Sequence, residues 1–211
     1  MARAELTLSE AKSLPRWRRP ESMLVVMAFG SSLAFATWMA VAANFVIEVV
    51  HFDGSDNGWM HTVREIPGFL AFLAIFILAV VKEQTFGLVS LFLLGLGSAL
   101  TAEFPTFQGV LMITFVSSVG FHYYETAAQS LQLQWLTKDK APKVLGLIVA
   151  TGSAAALLSY GTIIVAWEIF DFDYRTIYFV TGGACMAVAV FCRFAYPVFR
   201  ADTPQRYEIV L

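Results

Sequence analysis

Six long apolar stretches alternate with short polar segments along this chain of 211 residues. The stretches cover residues 23–50, 60–81, 86–102, 107–136, 144–167 and 176–197. A helix needs about 20 apolar residues to cross a hydrocarbon core of about 30 Å, and most of the stretches reach that length. The pattern predicts an all-α integral membrane protein with a bundle of six transmembrane helices over residues 23–197. The flanking segments, 1–22 and 198–211, are predicted to be tails.

Composition supports a membrane location. Hydrophobic residues make up 58% of the chain and charged residues 14%, and the mean hydropathy is +0.67. A soluble domain has about 25% charged residues. The lipid bilayer is therefore the expected partner. The formal net charge of −2 argues against a nucleic-acid partner.

Basic residues lie mostly in alternate polar segments. Twelve of the 14 lysines and arginines fall there: Arg3, Lys12, Arg16, Arg18, Arg19, Lys82, Lys138, Lys140, Lys143, Arg193, Arg200 and Arg206. The other loops are acidic, with only Arg64 and Arg175 near them. The positive-inside rule places both termini in the cytoplasm, in agreement with an even number of spans. Short loops favour a bacterial inner membrane.

The fourth stretch carries a row of polar residues. Ser118, His122, Glu125, Gln129 and Gln132 follow one another at intervals of 4, 3, 4 and 3. On a helix they fall within an arc of about 80°. A row of this kind forms either the wall of a water-filled path or an interhelical seam of hydrogen bonds. Two titratable groups one turn apart, His122 and Glu125, favour the wall.

The first stretch shows a shorter version of this pattern. Thr37, Asn44 and Glu48 lie within an arc of about 40°, together with Gly30. They are predicted to line the same cavity. Glu48 lies about one turn from the end of the stretch, so an interfacial position explains it equally well. Asn44 is the better candidate for direct contact with a solute.

The second stretch opens with charged residues. His61, Arg64 and Glu65 share a helix face with Gly68. They are predicted to form an outer gate, in which Arg64 and Glu65 pair with each other or bridge to Glu48 and Asp53. Direct substrate binding is the alternative, because an arginine in an outward cavity can bind an anion.

The remaining polar features give no sign of catalysis. Residues 53–57 are predicted to form a solvated turn in a loop. Cys185 and Cys192 lie seven residues apart in the sixth stretch, too few thiols for a metal site, and are predicted to be buried and reduced. The chain lacks the Gly-x-Ser-x-Gly and His-Glu-x-x-His motifs. No enzyme activity, metal or cofactor is predicted.

Six spans, two cytoplasmic termini, short loops, and polar faces on the first and fourth spans resemble the N-terminal half of a major facilitator superfamily (MFS) transporter. The resemblance covers about residues 17–200. It implies two inverted three-helix repeats, a cavity lined by the first and fourth helices, and a segment 198–211 that begins the linker to a second half. Residues 138–143 resemble the family's loop between helices four and five. Residues 79–87 depart from its usual loop signature between helices two and three.

The resemblance implies transport of a small polar organic solute by alternating access. Glu125, His122 and Glu48 are the candidates for proton coupling, because burial raises a carboxyl pKa toward the working range. Alternating access requires a second six-helix half. That half comes from a continuation of the chain, from a separate chain or from a parallel homodimer. The alternative function is a non-transporting membrane scaffold or sensor derived from a transporter half.

Overall fold

The computed structural model of the protein describes residues 5–202, so the predictions for residues 1–4 and 203–211 lie outside the described part. These include Arg3, Arg206 and most of the expected linker. The helices are α1 (Pro20–Glu48), α2 (Gly54–Phe69), α3 (Ala74–Leu78), α4 (Glu83–Ala99), α5 (Phe107–Trp135), α6 (Ala141–Phe170) and α7 (Tyr174–Ala195). Two short strands, β1 (Glu5–Thr7) and β2 (Val198–Arg200), accompany them. The predicted helical bundle is confirmed.

Four helical segments are long and apolar enough to cross a membrane. They are α1, α2 together with α3, α6 and α7. Helix α4 has 17 residues and is about 25 Å long, slightly less than a hydrocarbon core. Helix α5 has 29 residues but carries the polar row, which lowers its hydropathy. The membrane character is confirmed at this level, and the six-span topology stays a prediction.

The second apolar stretch starts earlier than predicted and is interrupted. Helix α2 begins at Gly54, where the Asp53 side chain accepts a hydrogen bond from the Asp56 amide (2.9 Å) in a capping box. The prediction of a solvated turn at residues 53–57 was therefore wrong. Soon after Pro67 the chain passes through a 3-10 turn, Ala71–Leu73, before α3. Proline removes the helical hydrogen bond to Val63 and crowds the turn before it, whereas the interruption begins three residues after Pro67, at Leu70.

Helix α4 lies between α5 and α7 at the centre of the bundle, whereas α1 packs against α6 and α7, and α2 packs against α5. Two glycines permit the closest approaches. A Cβ at Gly120 would overlap the backbone of Leu94, and one at Gly182 would overlap the backbone of Ala99. Cys185 and Cys192 are free and buried on α7, as predicted.

The segments predicted to be tails pair with each other. Strand β1 runs parallel to β2, with Glu5 opposite Val198. The Ser9 amide and hydroxyl donate to the Asp202 carboxylate (2.9 and 2.7 Å), and Lys82 forms an ion pair with Glu5. The Lys82 ammonium lowers the pKa of Glu5, and the Ser9 donors lower that of Asp202. We call this arrangement the clasp; it places both described ends of the chain at one end of the bundle.

Candidate functional site

The polar row of α5 passes from buried to exposed along the helix. Ser118 is buried, His122 and Glu125 are half-buried, and Gln129 is exposed, with Gln132 half-buried one turn beyond it. Ser118 and Gln132 are about 21 Å apart at 1.5 Å per residue. The row therefore begins inside the α2–α5 contact and continues onto an open surface of the described chain.

The gate residues and the cavity residues, predicted as two separate groups, meet at this contact. The Ser118 hydroxyl donates to the Arg64 carbonyl of α2. One turn further along α5, His122 Nε2 lies 4.0 Å from Glu65 Oε2. A Cβ at Gly68 would come within 2.7 Å of the His122 ring, so glycine allows the imidazole to lie against the α2 backbone. We call Arg64, Glu65, Ser118 and His122 the α2–α5 cluster.

Arg64 is held by aromatic rings. Its guanidinium carbon lies 4.6 Å from the Trp38 ring centroid and 5.4 Å from that of Phe35. Its nearest carboxylate oxygen is Glu65 Oε1, at 3.9 Å from Nη1. His61 meets the same Trp38 ring edge-on, with centroids 6.2 Å apart. No local pattern in the sequence predicts that Arg64 contacts two aromatic rings of α1.

The predicted bridges from Arg64 to Glu48 and Asp53 do not form. Glu48 accepts a hydrogen bond from the Tyr174 hydroxyl (2.6 Å), and the Asp53 side chain caps α2. Both carboxylates lie near helix ends, where a nearer donor satisfies them. That prediction was wrong.

A small cavity lies behind Arg64. Its volume is about 20 Å³, and its lining comes from α1, α2, α4 and α5: Phe35, Trp38, Arg64, Leu94, Thr114, Ser117, Ser118 and Phe121. Phe35 and Phe121 stack at 4.7 Å between centroids and close one side. Thr114 Oγ1 is buried with no hydrogen-bond partner in the described part of the chain. The space suits one water-sized polar group.

The α1 residues predicted to line the cavity separate in the structure. Thr37 is fully buried, and its hydroxyl lies 2.8 Å from the Ser159 hydroxyl of α6. It belongs to a helix–helix contact rather than to an open wall. Asn44 is exposed, and Glu48 is exposed beside Tyr174.

Unlike the Glu48 and Asp53 carboxylates, the Glu125 side chain has no ion pair or hydrogen bond within residues 5–202. It is half-buried between His122 and Gln129 on the open part of the row. A carboxyl group in this position can exchange a proton with water in a path without first breaking a local bond. The proton-coupling role of Glu125 stays a prediction.

Sequence reasoning missed a second polar group, at the start of α4 and the end of α5. The Glu83 carboxylate accepts hydrogen bonds from Ser130 (2.8 Å) and Gln134, and Gln84 donates to the Pro197 carbonyl (2.8 Å). These partners lie far apart in the sequence, so no local periodicity identifies them. Their mutual saturation indicates a structural role.

The comparisons with known proteins do not identify a family. No protein-family model, curated protein or solved structure matches the chain significantly. The resemblance to an MFS half therefore stays a prediction, and function must be argued from the geometry alone.

Proposed function

We propose that the chain is one six-helix half of a membrane solute transporter, in which the α2–α5 cluster and the exposed polar row of α5 form one wall of an aqueous path. The single observation that carries the proposal is the exposure of ionisable and amide groups on α2, which belongs to a candidate membrane span, and on the 29-residue helix α5. The Glu65 side chain is 63% exposed, and Gln129 is exposed on α5. Such groups avoid lipid and face water or a partner.

The helix contacts supply a second argument. Helix α1 packs against α6 and α7, and α5 packs against α2 and α4, while α4 packs against α7. If α2 and α3 are counted together as span two, α4 to α7 are spans three to six. Exchanging span one with four, two with five and three with six then maps these five main contacts onto one another. A set with this property is typical of two inverted three-helix repeats, which many transporters use. It supports six spans rather than four, with α4 and α5 crossing the membrane inside the bundle.

The proposed path is incomplete within the chain. Its polar wall is open on one side, and a second six-helix half would cover it, as a continuation of this chain, as another chain or as a parallel copy. The transported solute is a small polar organic molecule. Glu125 and the Glu65–His122 pair are the groups that exchange protons with the path.

Thiol labelling in membranes tests the water path. Gln129→Cys places a thiol on the polar row, and Val89→Cys, at a 61% exposed position on α4 one turn before the exposed Phe92, places one on an apolar surface. A membrane-impermeant methanethiosulfonate reagent should modify the first at least about tenfold faster, because the reactive thiolate forms in water and not in lipid. The unsubstituted chain is the background control, since Cys185 and Cys192 are buried. Equal rates at both positions would contradict the proposal.

A second labelling experiment separates a transporter from a scaffold. Glu125→Cys lies one turn deeper than Gln129, and alternating access should expose it in turn to each side of the membrane. The reagent should therefore modify it in both right-side-out and inside-out vesicles. Modification from one side only would favour the non-transporting scaffold.

A further inference from the structure

We propose that Arg64 is a carboxylate-binding subsite, so that the transported solute is a small organic acid. The inference rests on the proposed function but concerns equilibrium binding, which can be measured without transport. It begins with the unused bonding capacity of this side chain. A guanidinium group carries five N–H donors in a planar fork. Within residues 5–202, none of them makes a hydrogen bond.

The neighbouring carboxylate does not neutralise Arg64 closely. Glu65 Oε1 is 3.9 Å from Nη1, beyond hydrogen-bond distance, and the Glu65 side chain is 63% exposed while that of Arg64 is 19% exposed. A solvated carboxylate at this distance contributes little. The guanidinium therefore retains its capacity for a closer anion.

The aromatic rings fix the group in a position suitable for binding. The guanidinium carbon lies over the Phe35 and Trp38 rings, and these contacts use none of the N–H donors, which remain available for a bidentate carboxylate. Trp38 is buried and Phe121 stacks on Phe35, so the support is itself packed. An arginine held in this way loses less conformational entropy on binding than a free one.

The hydroxyl groups behind Arg64 complete the subsite. The unpartnered Thr114 hydroxyl and the Ser117 hydroxyl line the same cavity of about 20 Å³ as Arg64. One carboxylate oxygen is close to a water molecule in size, so it fits this space and accepts from these donors. The remainder of the acid then extends toward the open part of the α5 row. A cationic solute would meet the guanidinium charge instead.

The probe is cyclohexanecarboxylate, and its readout is the tryptophan fluorescence of the full chain in detergent. Trp38 contacts the guanidinium, so an anion bound to Arg64 should change its emission saturably. The neutral cyclohexanecarboxamide should cause no such change, and inorganic phosphate distinguishes a carboxylate site from a general anion site. Trp38→Phe should remove the signal and thereby identify its source.

Two substitutions test the role of Arg64. Arg64→Gln should abolish the saturable change, and Arg64→Lys, which keeps the charge but loses the planar fork, should weaken binding about tenfold to hundredfold. Circular dichroism checks that both variants remain helical. Arg175→Gln is the matched control, because it removes an exposed guanidinium that pairs with Glu103 at the start of α7, away from the cluster, and it should bind the probe as tightly as the unsubstituted chain.

Three outcomes would overturn the inference. They are an equal response to the carboxamide, a tighter response to phosphate than to the carboxylate, and an unchanged affinity in Arg64→Gln. If any of them occurs while Gln129→Cys still reacts with the aqueous reagent, the carboxylate site is wrong but the solute path stands. If Gln129→Cys also behaves like Val89→Cys, the proposed function fails as well.

Discussion

Helices α4 and α6 are both rich in small residues, yet they pack in opposite ways. A Cβ at Gly95 of α4 would lie 2.7 Å from the Gly182 carbonyl, and one at Gly97 would lie 2.7 Å from Ser117 Cα. On α6, by contrast, Gly146 and Gly161 have nothing within 4 Å of an added Cβ. Small residues therefore bring backbones together only where the facing helix also presents backbone or a small residue.

The contrast divides the bundle into a tightly packed centre, α4 with α5 and α7, and two loosely held helices. Helix α6 buries only Ala155, Ser159 and Ile163, on one narrow face toward the bundle. Helix α2 buries only Met60 and Pro67. These two helices occupy equivalent places in the proposed arrangement of two three-helix repeats. If a second half packs on the chain, α2 and α6 have the most surface left to receive it.

The largest expected effect comes from filling the closest approach in the centre. Gly120→Leu should separate α4 from α5 and destabilise the fold by about 1–3 kcal/mol or more, because the backbone of Leu94 cannot yield as a side chain would. The measurement is the apparent Tm of the detergent-solubilised chain. Gly146→Leu on α6 is the matched control and should leave the Tm nearly unchanged. A greater loss in the α6 variant would break the distinction between centre and periphery.

A smaller effect is expected at the contact that holds α6. The Thr37 and Ser159 hydroxyls lie 2.8 Å apart between α1 and α6. A double-mutant cycle with Thr37→Val and Ser159→Ala should give a coupling energy of about 0.6 kcal/mol, the usual value for hydrogen bonds between membrane helices. Reversible unfolding in mixed micelles measures it. A coupling as large as the Gly120→Leu effect would mean that α6 is held as firmly as α4.

The smallest effect concerns the clasp, which ties down the start of α4 through the ion pair of Lys82 with Glu5. The folded chain lowers the pKa values of Glu5 and Asp202. The clasp is therefore stabilised at a pH above the ordinary pKa of each carboxyl group, and this stabilisation is lost as the pH falls through the lowered pKa values. Spin labels at Lys12→Cys and Arg200→Cys should report a broader distance distribution at about pH 3 than at about pH 7.

The control for this pH effect is the Glu5→Gln, Asp202→Asn variant with the same spin labels. Its distance distribution should not change over the same range, because neither replacement titrates. If the variant broadens as the unsubstituted clasp does, other groups cause the change.

Some of these features were accessible from the sequence and others were not. Helix α5 runs over Phe107–Trp135, within one residue of the predicted stretch at its end, because a polar row on an apolar helix is a local periodic signal. The clasp was missed because Ser9 and Asp202 are 193 residues apart and three-residue strands carry no pattern. The contact of Arg64 with two aromatic rings of α1 was missed because it too joins residues on different helices.

The interruption of the second apolar stretch was only partly predictable from the sequence. Pro67 permits a bend, and Asp53 and Asp56 have the spacing of a capping pair, but hydropathy alone predicts an apolar helix from residue 60 to residue 81. Where the local chemistry of caps and prolines disagreed with the apolar pattern, the local chemistry decided the boundaries.

The parallel direction of the clasp has a mechanical consequence. A force that pulls on the chain before Glu5 and after Arg200 acts on opposite ends of the β1–β2 pair. It therefore loads the strand hydrogen bonds together in shear rather than opening them one after another like a zipper. In a single-molecule pulling experiment, the clasp would have to rupture as a unit before tension reached α1 or α7.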